Sequence, residues 1–96
     1  MLRHCVMFRW TDDATDAAKA EVARGLDRMA ELDCVASMVH GPDAGLVEGN
    51  WDYVVNAEFT SADRYVDYAQ DADHLALIAE VIRPILSDRA AVQFEL

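Results

Sequence analysis

"RHCVMFRW" (Arg3–Trp10) is the stretch of this sequence that decides the fold. In a β-strand, successive side chains point to opposite faces of the sheet. One face would carry His4, Val6, Phe8 and Trp10, and the other Cys5 and Met7, with Arg3 and Arg9 at its ends. A strand that is apolar on both sides is typical of a sheet covered on both faces. Each side of this strand therefore needs a covering layer.

Length and composition predict one folded domain over residues 1–96. The chain is 53% hydrophobic, which is enough for a globular core and argues against disorder. A chain of this length buries only about 60–65% of its unfolded surface. Association with a second chain would bury more.

The charge balance excludes several kinds of partner. Eighteen acidic residues oppose eight basic ones, for a formal net charge of −10. Such a field repels phosphate backbones and anionic membrane surfaces, so we expect neither nucleic acid nor a membrane as partner. The first ten residues have no signal-peptide pattern, and no apolar run approaches the roughly 20 residues of a membrane span. We therefore expect a cytoplasmic protein.

Three elements are predicted to follow the first strand. Residues 11–32 repeat apolar side chains at helical spacing, namely Ala18, Val22, Leu26 and Met29. Residues 33–40 are a short strand candidate, and the glycine-rich residues 41–50 predict a long turn. "WDYVVNAEF" (51–59) has the clearest alternation, with Trp51, Tyr53, Val55, Ala57 and Phe59 on one side.

The second helical region is predicted in two pieces. Residues 60–70 begin at a credible N-cap, Thr60 or Ser61. "QDAD" (70–73) predicts a break, and residues 74–83 continue as helix until Pro84 disturbs it. Residues 89–96 predict a closing strand.

The resulting order, β-α-β-β-α-β, predicts an α+β fold of the ferredoxin-like kind with a four-stranded antiparallel sheet. Two helices can cover only one face of such a sheet. The other face would be mixed, with apolar Cys5, Met7 and Val54 and polar Asn56, Glu58 and Gln93. We expect a second copy to cover it, which gives a homodimer in the form of a dimeric α+β barrel.

Four segments together resemble the stress-responsive dimeric α/β-barrel (Dabb) family over nearly the whole chain. They are "RHCVMFRW", "GPDAGLVEGNWDYVVNAEF", "YAQDADH" and "IRPILSDRAAVQFEL". The resemblance implies a homodimer of ferredoxin-like subunits. One branch of the family consists of polyketide cyclases that need no cofactor or metal, with two histidines and a tyrosine around a pocket. The matching positions here are His4, Tyr68 and His74, while Asp71 and Ala72 replace a His and a Pro of the family's motif.

These three residues suggest proton abstraction next to a carbonyl, as in an aldol or Claisen closure. His74 would be the base, because an imidazole in an apolar cavity titrates near neutrality. Tyr68 would donate a hydrogen bond to the developing enolate oxygen, and His4 would orient the base. The expected contacts to a small apolar or aromatic ligand are Phe8, Trp10, Tyr65 and Ile78.

Other interpretations stay open. In these, His74 only caps or packs the start of its helix, His4 bonds only to backbone, and Tyr68 is a core aromatic. "DADH" (71–74) is a poor metal site, because adjacent helical positions cannot all face one ion; we expect no metal and no cofactor. The alternative functions are a cofactor-free monooxygenase and a non-catalytic stress-response dimer that binds a ligand.

Overall fold

One antiparallel sheet with helices on a single face makes up the computed structural model, which describes residues 1–96. The elements are β1 (Leu2–Trp10), α1 (Asp16–Met29), β2 (Ser37–Pro42), β3 (Tyr53–Phe59), α2 (Ala62–Gln70), α3 (Ala72–Leu77) and β4 (Leu86–Glu95). The strands lie in the order β2-β3-β1-β4. This is the ferredoxin-like fold that the element order predicted.

The core lies between the sheet and the helices. From the sheet it takes alternate residues, which on β1 and β3 are His4, Val6, Phe8, Trp10, Tyr53, Val55, Ala57 and Phe59. From the helical layer it takes Val22, Leu26, Met29, Tyr68, Leu77 and Ile82. The alternation of buried and more exposed side chains along β1 and β3 is therefore the pattern of strands with only one face in the core.

The helical layer is interrupted where the sequence predicted a break. α2 ends at Gln70, Asp71 is extended with ψ 133°, and α3 begins at Ala72. After α3 the chain makes a π-helical turn (Ile78–Ile82) and a 3₁₀ turn (Arg83–Ile85) that contains Pro84. Proline lacks a backbone N–H and cannot continue a regular helix, so it releases the chain into β4.

The boundaries of β2, β3 and β4 differ from the sequence prediction. β2 begins at Ser37 and continues through Pro42, and β3 begins at Tyr53, so Trp51 lies outside the strand. β4 begins at Leu86, three residues before the predicted start at Arg89. Strand ends depend on pairing with a partner strand, which local alternation does not encode.

The position predicted for Gln93 was wrong. It pairs with His4 across β1 and β4, so both side chains lie on the helix-facing side of the sheet. Val92 and Phe94, paired with Cys5 and Arg3, lie on the opposite side instead.

That opposite side, the open face, has no covering layer within the chain. On this open face, Arg3 forms an ion pair with Glu58 at 3.3 Å. The large apolar side chains of the open face are exposed. These are Met7 at 38%, Val39 at 69%, Val54 at 40%, Val92 at 61% and Phe94 at 43%. The open face is thus more apolar than the sequence predicted. None of the helices is both long enough and apolar enough to span a bilayer.

Candidate active site

A cavity of about 300 Å³ lies between the sheet and the second helical region. This is at the lower end of the range for small-molecule sites. Its lining residues are His4, Val6, Phe8, Leu26, Val55, Tyr65, Tyr68, His74, Leu77, Ile78, Ile82, Arg83, Leu86 and Arg89. The walls are thus mainly aliphatic and aromatic, with a few polar groups.

Six of the seven side chains predicted for a site line this cavity: His4, Phe8, Tyr65, Tyr68, His74 and Ile78. Trp10 does not. It packs against Phe8 and Tyr53, with ring centroids 5.3 and 5.9 Å away. The alternation of β1 places Trp10 on the same face as His4, but six residues of strand separate the two by roughly 20 Å. A shared face therefore did not imply a shared pocket.

His74 occupies the first turn of α3, beside Tyr68 at the end of α2. The Asp71 carboxylate accepts hydrogen bonds from the backbone N–H groups of Asp73 and His74, at 2.9 and 3.1 Å, and so fixes the start of α3. The imidazole lies on the Tyr68 ring, with centroids 4.0 Å apart. This contact crosses the break between the two helices.

The Nδ1 atom of His74 is buried and has no hydrogen-bond partner. Burial lowers the pKa of this imidazole, although the Ala69 carbonyl and Asp71 oppose the shift. The Ala69 carbonyl is thus near the ring without forming a well-aligned hydrogen bond to Nδ1. A neutral imidazole has one unprotonated ring nitrogen, and this nitrogen is able to accept a proton when no hydrogen-bond donor occupies it.

His4 is buried on β1, only 6% exposed. Its Nδ1 lies 3.0 Å from Nε2 of Gln93. When that amide donates the bond, the ring proton sits on Nε2, which has no other partner in the chain. Burial, with smaller effects of Arg89 and His74, lowers the pKa of His4 to about 4. His4 is therefore neutral at pH 7. The hydrogen bond of its ring is to Gln93 and not to His74, which differs from the expectation that His4 would orient the base.

Tyr68 contributes a phenol hydroxyl to the cavity, and Tyr65 contributes an aromatic ring to its wall. Tyr68 is 4% exposed, and burial raises the pKa of its hydroxyl, which stays protonated at neutral pH. This hydroxyl makes no hydrogen bond to the protein, so it remains a free donor. The Tyr65 ring packs on His4 at 5.0 Å and edge-on against Phe59 at 5.5 Å.

The sequence analysis did not place three polar residues at the cavity: Arg83, Arg89 and Gln93, the last of which it assigned to the opposite face of the sheet. Arg89 pairs with Phe8, which places it on the helix-facing side of β4. It is close enough to lower the pKa of both cavity histidines. Arg83 follows the π-helical turn. The only available signal was Pro84, which predicted a turn but not the register of the strand after it.

Asp71 is not among the lining residues, and its carboxylate is occupied in capping α3. No group of three or more His, Cys, Asp or Glu side chains is arranged to hold a metal ion.

The third histidine, His40 on β2, lies outside the cavity in what we term the His40 cluster: Asp27, His40 and Tyr53. The His40 Nδ1 accepts a hydrogen bond from the Tyr53 hydroxyl at 2.7 Å. Its Nε2 donates to the Asp27 carboxylate, also at 2.7 Å. Both ring nitrogens are thus satisfied, and the cluster ties α1 to the sheet.

Comparison with known proteins identifies the relatives of this chain. The sequence profile described as "Stress responsive A/B Barrel Domain" matches residues 2–96. A stress-response A/B barrel domain-containing protein of Arabidopsis thaliana is 25% identical over 95 residues, covering 98% of this chain. The chain spans only 36% of the length of that relative.

Solved structures share the fold. A dimeric ferredoxin-like protein of unknown function from Thermobifida fusca is 36% identical, with a TM-score of 0.91 over 99% of this chain and 90% of that one. The hydroxynitrile lyase of Passiflora edulis is 14% identical, with a TM-score of 0.82 over 99% of this chain and 92% of its own. At that identity the lyase documents the fold alone.

Proposed function

The chain belongs to the stress responsive A/B barrel domain family, and from this premise we propose that it is a cytoplasmic, homodimeric enzyme that needs no cofactor. Its substrate is a small apolar or aromatic carbonyl compound bound in the cavity. The reaction is the removal of a proton from the carbon next to the carbonyl, followed by an aldol or Claisen closure of the polyketide-cyclase kind.

One observation carries this proposal: the unpartnered His74 imidazole on Tyr68, at the wall of a mostly apolar cavity. Leaving a buried nitrogen without a partner costs about 1–3 kcal/mol. Such groups cluster at functional sites, where stability is given up for chemistry. Hydrogen bonds to catalytic groups are often long before the substrate binds. The nearby Ala69 carbonyl is the group that would then hold Nδ1–H and leave Nε2 as the base.

The groups present can carry out each proton transfer. His74 takes the α-proton, and the electron pair of the C–H bond moves into the enolate. The Tyr68 hydroxyl, and the Nε2–H of His4, donate hydrogen bonds to the enolate oxygen. The enolate carbon attacks a second carbonyl of the same molecule, forming a C–C bond. In an aldol closure the imidazolium then returns its proton to the new alkoxide. In a Claisen closure the alkoxide collapses, the bond to the acyl leaving group breaks, and the imidazolium protonates the departing alkoxide or thiolate. Acid–base catalysis of this kind is worth typically 10²–10⁴-fold in rate.

The homodimer is supported by the open face. Five large apolar side chains on it are between 38% and 69% exposed. The Thermobifida fusca relative, at 36% identity, is described as dimeric. Analytical ultracentrifugation should give a dimer, and Val92→Asp on the open face should shift it to monomer. A monomeric wild-type protein would contradict this part of the proposal.

Solvent exchange tests the chemistry without knowledge of the natural substrate. Phenylacetone and 4-acetylbenzoate in D₂O carry exchangeable protons next to a carbonyl, and ¹H NMR follows their loss. The protein should accelerate exchange above buffer, and it should consume no oxygen with an aromatic hydroquinone. Oxygen uptake without exchange would favour the monooxygenase. Binding without either would favour the non-catalytic ligand-binding dimer.

A further inference from the structure

The charges around the cavity are opposite to those of the whole chain. Asp and Glu outnumber Lys and Arg by 18 to 8 in the sequence. The cavity nevertheless has no Asp or Glu among its lining residues and has two arginines, Arg83 and Arg89. Because burial keeps the two histidines neutral at pH 7, these guanidinium groups dominate the charge of the site.

Neither of these arginines has an anionic partner in the chain. Arg3, Arg24 and Arg64 form ion pairs with Glu58, Glu21 and Asp67. Arg9 lies over the Trp51 ring at 4.4 Å. Arg83 and Arg89 are exposed, and neither guanidinium forms an ion pair or a hydrogen bond; only the backbone N–H of Arg89 donates to a carboxylate, that of Asp88 at 2.8 Å. Arg28 and Lys19 also form no ion pair, but only Arg83 and Arg89 lie at the cavity. Two unneutralised cations at one apolar cavity are an anion-binding arrangement.

We propose that the cavity selects small, mainly apolar or aromatic molecules that carry a carboxylate, and that Arg83 and Arg89 bind that carboxylate. The inference rests on the proposed function, since it assumes that the cavity binds the substrate. It adds the chemical class of the substrate.

The positions of these groups indicate that the two ends of the cavity have different roles. Arg89 pairs with Phe8, which is four residues, or roughly 13 Å, along β1 from His4. Arg83 and Leu86 lie on the same stretch that leads into β4. The carboxylate would occupy this end, the aromatic body would contact Phe8 and Ile78, and the reacting carbonyl would lie at Tyr68 and His74.

Guanidinium is well suited to this task. Its planar fork binds the two oxygens of a carboxylate with two parallel hydrogen bonds, and it stays charged at every accessible pH. A neutral analogue of the same shape leaves the guanidinium groups without a partner, so it should bind more weakly.

Isothermal titration calorimetry with a matched pair of probes tests the inference. The probes are 2-naphthoate and its neutral isostere 2-naphthamide, at low ionic strength. Wild-type protein should bind the naphthoate about tenfold more tightly, since two guanidinium groups are available to one carboxylate and charge-assisted hydrogen bonds are stronger than neutral ones. The double variant Arg83→Gln/Arg89→Gln should lose this preference and bind the naphthamide as before. Arg28→Gln is the control, because Arg28 is exposed, forms no ion pair and lies outside the cavity.

The outcomes separate this inference from the proposed function. Equal affinity for both probes in wild type, or a preference that survives the double variant, would overturn the carboxylate selection and leave the cavity as a binding site. If neither probe binds, the proposed function fails and the inference with it. Thermal unfolding of each variant checks the fold, and Arg83→Lys/Arg89→Lys, which keeps both charges, should retain part of the preference.

Discussion

His74 on α3 and His40 on β2 differ in the partners of their ring nitrogens and in the space beside the ring. Both are near tyrosines, Tyr68 and Tyr53, that are 4% and 6% exposed. At His40 both ring nitrogens are hydrogen-bonded at 2.7 Å. At His74 the buried Nδ1 has no partner, and the ring borders a cavity of about 300 Å³.

The difference shows how one residue type serves two purposes. A buried polar network whose members are all satisfied stabilises a unique packing. A buried polar atom that is left unsatisfied costs stability, and such a cost persists where chemistry or binding needs it. This difference supports our proposal that His74 has a catalytic role, whereas His40 stabilises the packing of α1 on the sheet.

The largest expected effect is on exchange catalysed by His74. His74→Ala should reduce the phenylacetone exchange rate by about 10²–10⁴-fold, because it removes the base. The unfolding free energy should change little, since the lost ring had an unsatisfied nitrogen. Exchange at the wild-type rate in this variant would mean that another group accepts the proton.

His40→Ala should give the reverse result. It leaves the buried Tyr53 hydroxyl without its partner, which costs about 1–3 kcal/mol. Urea denaturation measures that loss, and the exchange rate of the folded fraction should match wild type. Tyr53→Phe is the matched control. Because His40 and Tyr53 share one hydrogen bond, the double variant His40→Ala/Tyr53→Phe should lose less unfolding free energy than the sum of the two single losses.

Acid should destabilise the protein through His4. Its pKa is lowered from 6.5 to about 4 in the folded state, so between these pH values the unfolded chain binds a proton that the folded chain does not. The unfolding free energy therefore falls as the pH drops through this window. Because the cavity is open to solvent, which screens the charge, we expect only about 1–2 kcal/mol. Between pH 7 and pH 4.5, urea denaturation should show that His4→Gln loses less unfolding free energy than wild type, by this amount. Equal losses in the two proteins would exclude His4 as the cause.

The smallest effect is expected at Gly25 in α1. A Cβ atom there would overlap Cδ1 of Leu77, a cavity-lining residue. Gly25→Ala gains about 1 kcal/mol of helix propensity but must displace Leu77 at a similar or larger cost. We expect a net loss below about 1 kcal/mol and weaker binding of 2-naphthoate. Gly41→Ala, where a Cβ meets open space, should leave binding unchanged.

The sequence was sufficient for those features that depend on local pattern. The alternation of β1 placed His4, Val6 and Phe8 on one face, and Asp71 and Pro84 marked the helix break and its end. The family resemblance, rather than periodicity, brought Tyr68 and His74 together with His4.

What escaped prediction depends on pairing between distant segments. The register of β4 against β1, which aligns residues about 80 positions apart, decides that Arg89 and Gln93 face the helices. A shift of one residue would turn both to the open face. Local sequence does not encode that choice, so the charges at the cavity and the partner of His4 were missed.

The most direct test of the central claim is NMR of protein labelled with ¹³C at Cε1 of histidine, titrated with 2-naphthoate. The chain has three histidines, so each assigned signal reports one environment. The account predicts that the His4 and His74 signals shift together with a single dissociation constant, while the His40 signal stays in place. Unmoved cavity signals, or a shift confined to His40, would contradict it.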